Sequence, residues 1–211
     1  MLAEYADAKV HIAHISSAKA LDIVRQAKKR GVKVTAEVTP QHLTMTDECV
    51  DPTDASTKVN PPLRSAKDTE AMLQGLKDGT IDAIVTDHSP HAEEEKDVEY
   101  RYAPSGFPGL ETALGVLLTD LYHTGKISLE EIIAKMTCGP AKVFGMDRGV
   151  IEEGKAADIT IIDPELEWMV DETKFYTRGT HSPFNGKKLK GKAIMTIVDG
   201  NIVMKDGTIV S

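Results

Sequence analysis

The chain has 211 residues, 41% of them hydrophobic and 27% charged, with a formal net charge of −8. That length buries a substantial core in one large or two small domains, and the interspersed acidic excess excludes nucleic acid and anionic membrane as main partners. Cys49 and Cys138 are the only cysteines and stand far apart, so neither a disulfide framework nor a thiolate zinc site is expected. No stretch approaches the roughly 18 apolar residues of a membrane span. Residues 1–7 lack a basic region followed by an apolar core, so a cytoplasmic location is expected.

Lys9 to Ile15, KVHIAHI, predicts a first strand with His11 and His14 inside it. Ser16 and Ser17 offer N-cap hydroxyls for a helix over about Ala18 to Arg30, where Ala20, Leu21, Ile23, Val24 and Ala27 follow helical spacing and Gly31 supplies the stop. Val32 to Val38 predicts a second strand, completing a unit long enough for a right-handed parallel crossover. Thr39 to Ser65 is turn-rich and polar, with Pro40, Pro52, Pro61 and Pro62, and a short helix is expected near Thr46 to Val50. A helix from Ser65 to about Lys77, closed by Gly79, precedes a third strand over Ile81 to Thr86. The alternation predicts an α/β fold with a parallel sheet.

Glu93 to Asp97 reads as a solvated charged loop, followed by the Gly- and Pro-rich stretch Ala103 to Gly109. Helices are expected over Leu110 to His123, Ser128 to Cys138 and Pro140 to Phe144. From Gly149 the pattern changes to short strands, Ile159 to Ile162, Ile194 to Val198 and Ile202 to Met204, with Asp199-Gly200 as a hairpin turn. Two regions are expected: 1–148, carrying the strand and helix alternation, and 149–211, a small β-domain.

Ile84 to His91 is an apolar run that ends in one carboxylate and two imidazoles. His14 and Asp87 fall at the C-terminal ends of their strands, where parallel barrels keep catalytic groups. Imidazole and carboxylate both suit zinc, although two donors do not make a site. Strand alternation puts His11 on the face opposite His14 and leaves it a structural role. Asp87 has no sequence-local cation; a capping or salt-bridge role and a role as metal ligand and proton acceptor both remain open. Asn60, before Pro61, reads as a turn residue on its own.

Together the motifs HIAHIS, AEVTPQHL, KVNPPLR, TDHSPH, SGFPGLET, GPAKVFG and IEEGKAADITIID resemble the long-chain bacterial dihydroorotases of the cyclic amidohydrolase family. TDHSPH with KVNPPLR is fairly specific, whereas GKAADITIID marks the wider superfamily. The resemblance implies the C-terminal portion of a (β/α)8 TIM-like metal-dependent hydrolase barrel followed by part of a small β-domain. It implies reversible, zinc-dependent hydrolysis of dihydroorotate to N-carbamoyl-aspartate in pyrimidine biosynthesis, with one or two zinc ions in the complete protein. Carried over by residue, His14 is similar to a metal-binding histidine, and Asp87 to an aspartate that is both metal ligand and general acid/base. His91 is similar to the histidine that binds the substrate carboxylate, and Asn60 to the asparagine that holds the ring. Gly106 and Phe107 lie in the loop whose backbone completes the ring contacts. Gln41 stands where the family has the first histidine of a pair with His42, and neither is assigned to metal.

The family's early His-x-His pair, its bridging Lys or Asp and a further metal histidine have no counterpart here. The chain is therefore expected to be the C-terminal half of such an enzyme, to need the N-terminal half as partner, and to be inactive alone. A homo-oligomer is expected. Rival readings are a non-catalytic structural partner of a transcarbamoylase and a cyclic amidohydrolase acting on hydantoin or allantoin.

Overall fold

The computed structural model describes residues 1–210, which fold around two separate sheets. The first is parallel, in the order β1 (Val10–Ile12), β2 (Val34–Val38), β3 (Ala83–Ile84). Its register pairs His11 with Thr35 and Glu37 with Ala83. Alternation then sorts the side chains: Val10, Ile12, Val34, Ala36, Val38 and Ile84 all enter one hydrophobic cluster under the helices. His11, Thr35, Glu37 and Ala83 occupy the other face.

A helical turn, α1 (Leu2–Tyr5), precedes β1. Helix α2 (Ala18–Lys29) starts as its sequence predicts, with the Ser17 hydroxyl accepting the Ala20 N–H at 3.3 Å. The turn-rich stretch holds a short helix that the sequence reading missed, α3 (Pro40–Thr44), capped by Thr39 and opened by Pro40 at its first position. Around the expected helix near Thr46 to Val50 there is only a 3₁₀ turn, Asp47–Cys49. Helix α4 (Ala66–Lys77) lies against α2, and Gly75 permits the contact: a Cβ there would sit 2.7 Å from Leu21 Cδ1. Leu21, Val24, Met72, Leu73 and Leu76 carry the helix side of the core.

Strand β3 is shorter than its apolar run. The Asp82 carboxylate accepts the Ala36 N–H at 2.8 Å and an ion pair from Lys28 Nζ at 2.7 Å, a polar junction at the start of the strand. After α5 (Glu93–Lys96) and α6 (Ala113–Leu117), one π-helical turn, Leu118–Tyr122, follows without a break. Helix α7 (Leu129–Met136) has a reciprocal Ser128–Glu131 capping box, and α8 (Cys138–Phe144) ends at left-handed Gly145.

The second sheet is antiparallel, β4 (Ile159–Met169), β5 (Lys188–Val198), β6 (Asn201–Lys205) and β7 (Thr208–Ile209). Both β4 and β5 run 11 residues, longer than expected, with register shifts that let β4 continue past Asp163 and Pro164. The hairpin at Asp199-Gly200 is as expected, both residues at positive φ, 47° and 80°, as a two-residue turn of this type requires.

A second hydrophobic cluster joins residues from both sides of Gly149: Val59, Leu63, Phe107 and Val116 with Val170, Phe184 and Leu189. The Thr119 hydroxyl, which donates to the Gly115 carbonyl at 2.6 Å, accepts the Lys190 N–H at 2.8 Å. Gly191 lies at φ +103°, where a Cβ would overlap Leu118 Cδ1 and lie 2.9 Å from Leu118 Cβ. Gly191→Ala therefore adds backbone strain of roughly 1–2 kcal/mol to overpacking of roughly 1–3 kcal/mol. A urea titration should show a loss of about 2–5 kcal/mol, and an unchanged midpoint would contradict this account of the junction.

Candidate active site

Two strand ends form the centre of the site. His14 lies two residues beyond β1 and Asp87 three beyond β3, and both have left-handed backbones, φ +35° and +51°. Non-glycine residues adopt that region at a cost, and such residues cluster where side chains must be aimed at a ligand. Because β1 ends at Ile12 and His14 turns left-handed, strand parity no longer fixes which face His14 occupies.

Electrostatics couple the two ends. Burial raises the Asp87 carboxyl above its ordinary value, with the His14 charge opposing the shift and the Glu37 charge adding to it. His14 Nδ1 is buried and has no hydrogen-bond partner. An unpartnered buried imidazole nitrogen costs stability unless something else satisfies it. Imidazole and carboxylate are donors that zinc accepts, and a cation here would satisfy the nitrogen and favour the ionised carboxylate, so these two residues fit a metal. Among the described residues no group of three His, Cys, Asp or Glu side chains gathers as a complete metal site.

His11 and His42 differ in having both ring nitrogens engaged. His11 meets Thr35 Oγ1 at 2.7 Å through Nδ1 and Glu37 Oε2 at 2.8 Å through Nε2, joining β1 to β2. Buried His42 meets Thr39 Oγ1 at 2.7 Å and the Pro61 carbonyl at 2.9 Å, and burial lowers its pKa. Gln41 is buried beside it. His42 thus fastens α3 to the Pro61 turn, and Asn60, next to that turn, is exposed.

The TDHSPH segment carries a second layer. Ser89 donates its N–H to the Phe107 carbonyl at 3.1 Å, and His88 pairs with Phe107 as a parallel bridge. His88 Nδ1 accepts the N–H groups of Gly109 and Leu110, both at 3.2 Å, which fixes the ring proton on Nε2 in the neutral form. A Cβ on Gly109 would lie 2.8 Å from the Thr86 carbonyl, so the loop and the strand end touch backbone to backbone. Phe107 is buried edge-on against Phe184, ring centroids 5.8 Å apart.

Of the sequence-predicted residues, His14 and Asp87 lie near enough for their charges to interact, and Gly106 and Phe107 pack against the TDHSPH segment. His91 Nε2 donates to the Ser105 carbonyl at 3.1 Å, with Nδ1 at 3.7 Å from Glu95 Oε2. Gly106 has its N–H on the Lys58 carbonyl at 2.8 Å and its own carbonyl on Lys96 Nζ at 2.9 Å. The loop-fastening role of His88 was within reach of the sequence, since His88 lies inside the singled-out motif. Lys96 is buried, contrary to the solvated reading of Glu93 to Asp97, and no local pattern signals it.

Comparison with known proteins agrees with this architecture. Among curated relatives, the dihydroorotase of Pelotomaculum thermopropionicum is 54% identical over 209 residues, 99% of this chain and 49% of its own length. The dihydroorotase of Geobacter sp. strain M21 is 51% identical over 206 residues, 98% of this chain and 48% of its own length. The chain spans about half the length of the curated relatives it matches. Among solved structures, the L-hydantoinase (dihydropyrimidinase) of Arthrobacter aurescens superposes with a TM-score of 0.94 at 31% identity, covering 100% of this chain and 48% of that one. The dihydropyrimidinase of Brevibacillus agri gives 0.89 at 27% identity, covering 99% and 47%. The parallel sheet with its helices is a portion of a (β/α)8 barrel, and the antiparallel sheet is part of the accompanying β-domain. The amidohydrolase family profile matches residues 2–203, which takes in the parallel sheet, most of the antiparallel sheet and both strand ends of the site: the chain belongs to the amidohydrolase family.

Proposed function

We propose that the complete gene product is a cytoplasmic dihydroorotase that opens the cyclic amide of dihydroorotate to N-carbamoyl-aspartate and closes it in reverse, in pyrimidine biosynthesis. The observation that carries this reading is the pair of left-handed strand ends at His14 and Asp87, near enough for the His14 charge to act on the carboxyl, with His14 Nδ1 buried and unpartnered. Relatives named dihydroorotase, 45–54% identical, support the choice of substrate. In this reading residues 1–148 are the barrel portion that carries the chemistry and 149–211 the β-domain that supports it.

His14 and Asp87 would hold zinc, any further ligands coming from outside the described residues. When bound, the metal supplies Lewis acidity at the ring carbonyl and acidifies the attacking water. The Asp87 carboxylate takes the water's proton and returns it to the departing ring nitrogen, so one group serves as base and then acid. Asn60, exposed beside the Pro61 turn, offers an amide to the ring's amide edge. His91 orients the substrate carboxylate. Because its Nε2 donates to the Ser105 carbonyl, Nδ1 offers a proton to a carboxylate only as the imidazolium, and Glu95 at 3.7 Å marks where that anion would sit. Gly106 and Phe107 form the wall against which the ring rests. A homo-oligomer, with a transcarbamoylase as candidate partner, belongs to the same reading, and sedimentation with and without that partner checks it.

A second reading, hydrolysis of a hydantoin or of allantoin, draws on the fold similarity to hydantoinases. Following ring opening of dihydroorotate, hydantoin and allantoin by the complete gene product separates the two. Turnover of dihydroorotate alone is expected, and turnover of hydantoin without dihydroorotate would replace the first reading by the second. Asp87→Asn should lower dihydroorotate turnover at least about 10²-fold, the scale of a lost general acid/base. His14→Ala should reduce the zinc content of the purified complete protein, measured by atomic emission; unchanged zinc would remove His14 from the ligand set.

A further inference from the structure

Lys96 ends the run Glu93-Glu94-Glu95, yet its side chain is only 2% exposed. A lysine leaves water only where acceptors replace its hydration. Nζ donates to the carbonyls of Pro104 at 3.1 Å and Gly106 at 2.9 Å. Burial, with the Lys58 charge adding and Asp54 opposing, pushes this ammonium below the ordinary lysine value.

A second lysine works on the preceding turn. Lys58 Nζ donates to the carbonyls of Tyr100 at 2.7 Å and Arg101 at 3.0 Å, while the Lys58 carbonyl accepts the Gly106 N–H. Gly106 lies at φ +124°, where a Cβ would fall 2.6 Å from Ser89 Cβ. Segment 100–106 is thus held by two ammonium groups on one side and by the TDHSPH segment on the other. His91 closes the ring of contacts by donating to the Ser105 carbonyl, between the two carbonyls that Lys96 holds.

We infer that Lys96 is a positioning residue for substrate binding: it clamps Pro104 and Gly106 so that the loop presents a fixed surface beside His91. This rests on the dihydroorotate reading for its substrate. The physical reason is the asymmetry of buried hydrogen bonds. Without the ammonium, the buried Gly106 carbonyl has lost its donor, and the loop must shift to reach water. His91 would then lose the fixed acceptor that sets its ring. The proton-transfer group, Asp87, stays on its own strand end, so binding should suffer and chemistry should not.

The test is Lys96→Met in the complete gene product, which keeps the unbranched apolar stem and removes both donors. Hydrogen exchange should quicken in residues 100–109 alone. The KM for dihydroorotate should rise about tenfold, the scale of a lost charge-assisted hydrogen bond, with kcat within about threefold of the parent. Unchanged exchange in that segment, or a fall in kcat with KM unmoved, overturns the inference. Should Lys96→Met not accumulate as folded protein, Lys58→Met, at a half-buried position, is expected to loosen the same segment and raise KM in the same direction, and its failure to do either counts equally against the clamp. If the parent protein does not open dihydroorotate at all, the substrate reading falls, while the exchange measurement still decides whether Lys96 holds the loop.

Discussion

The site depends on where the parallel ladder stops. Inside β1 to β3 the alternating geometry commits every second side chain to the helices, and Val10, Ile12, Val34, Ala36, Val38 and Ile84 meet that requirement. Beyond the last paired residue the backbone is free to turn, and both His14 and Asp87 use that freedom in left-handed conformations. Glycine would adopt these dihedrals without strain but has no donor atom to offer. The apolar face behind the strands anchors the chain firmly enough to hold such conformations, each worth roughly 1–3 kcal/mol.

The other face of the sheet is polar and tied together. His11 spans from Thr35 to Glu37, so an imidazole and two neighbouring positions of β2 form one connected set. Glu37 in turn acts on Asp87 by like-charge repulsion, while His14 acts by attraction. With His14 neutral, two carboxylates and an unsatisfied imidazole nitrogen at the end of a sheet form an arrangement that suits a bound cation: it offsets the repulsion, favours ionised Asp87 and gives Nδ1 a partner. The electrostatics of the strand ends therefore favour a bound cation.

Features that local chemistry determines were legible in the sequence. The helical spacing of Leu21, Val24 and Ala27 behind Ser17, and the Asp199-Gly200 turn, each follow from residues near to one another in the chain. Helix α3 was hidden by Pro40, which a turn-rich reading takes as a breaker but which suits the first position of a helix capped by Thr39. Length was misjudged where tertiary pairing decides it: β3 shrank because Asp82 takes part of its edge, and β4 continued past Asp163 and Pro164 because β5 offered partners. At the site, the residue types of TDHSPH marked the place, and the resemblance assigned roles. What no pattern within the chain gives is the destination of a side chain such as Lys96, since its acceptors lie eight and ten positions further on and exist only once the loop has folded back.

The cluster that joins Val59, Leu63, Phe107 and Val116 to Val170, Phe184 and Leu189 has a consequence for the integrity of the molecule. The covalent link between the two sheets runs through residues 150–157, all exposed. A protease that cut there would divide the polypeptide but not the particle, because the buried apolar contacts and the Thr119 to Lys190 hydrogen bond bypass the link. The two pieces would stay associated as a noncovalent pair, with the Phe107 wall of the site still backed by Phe184.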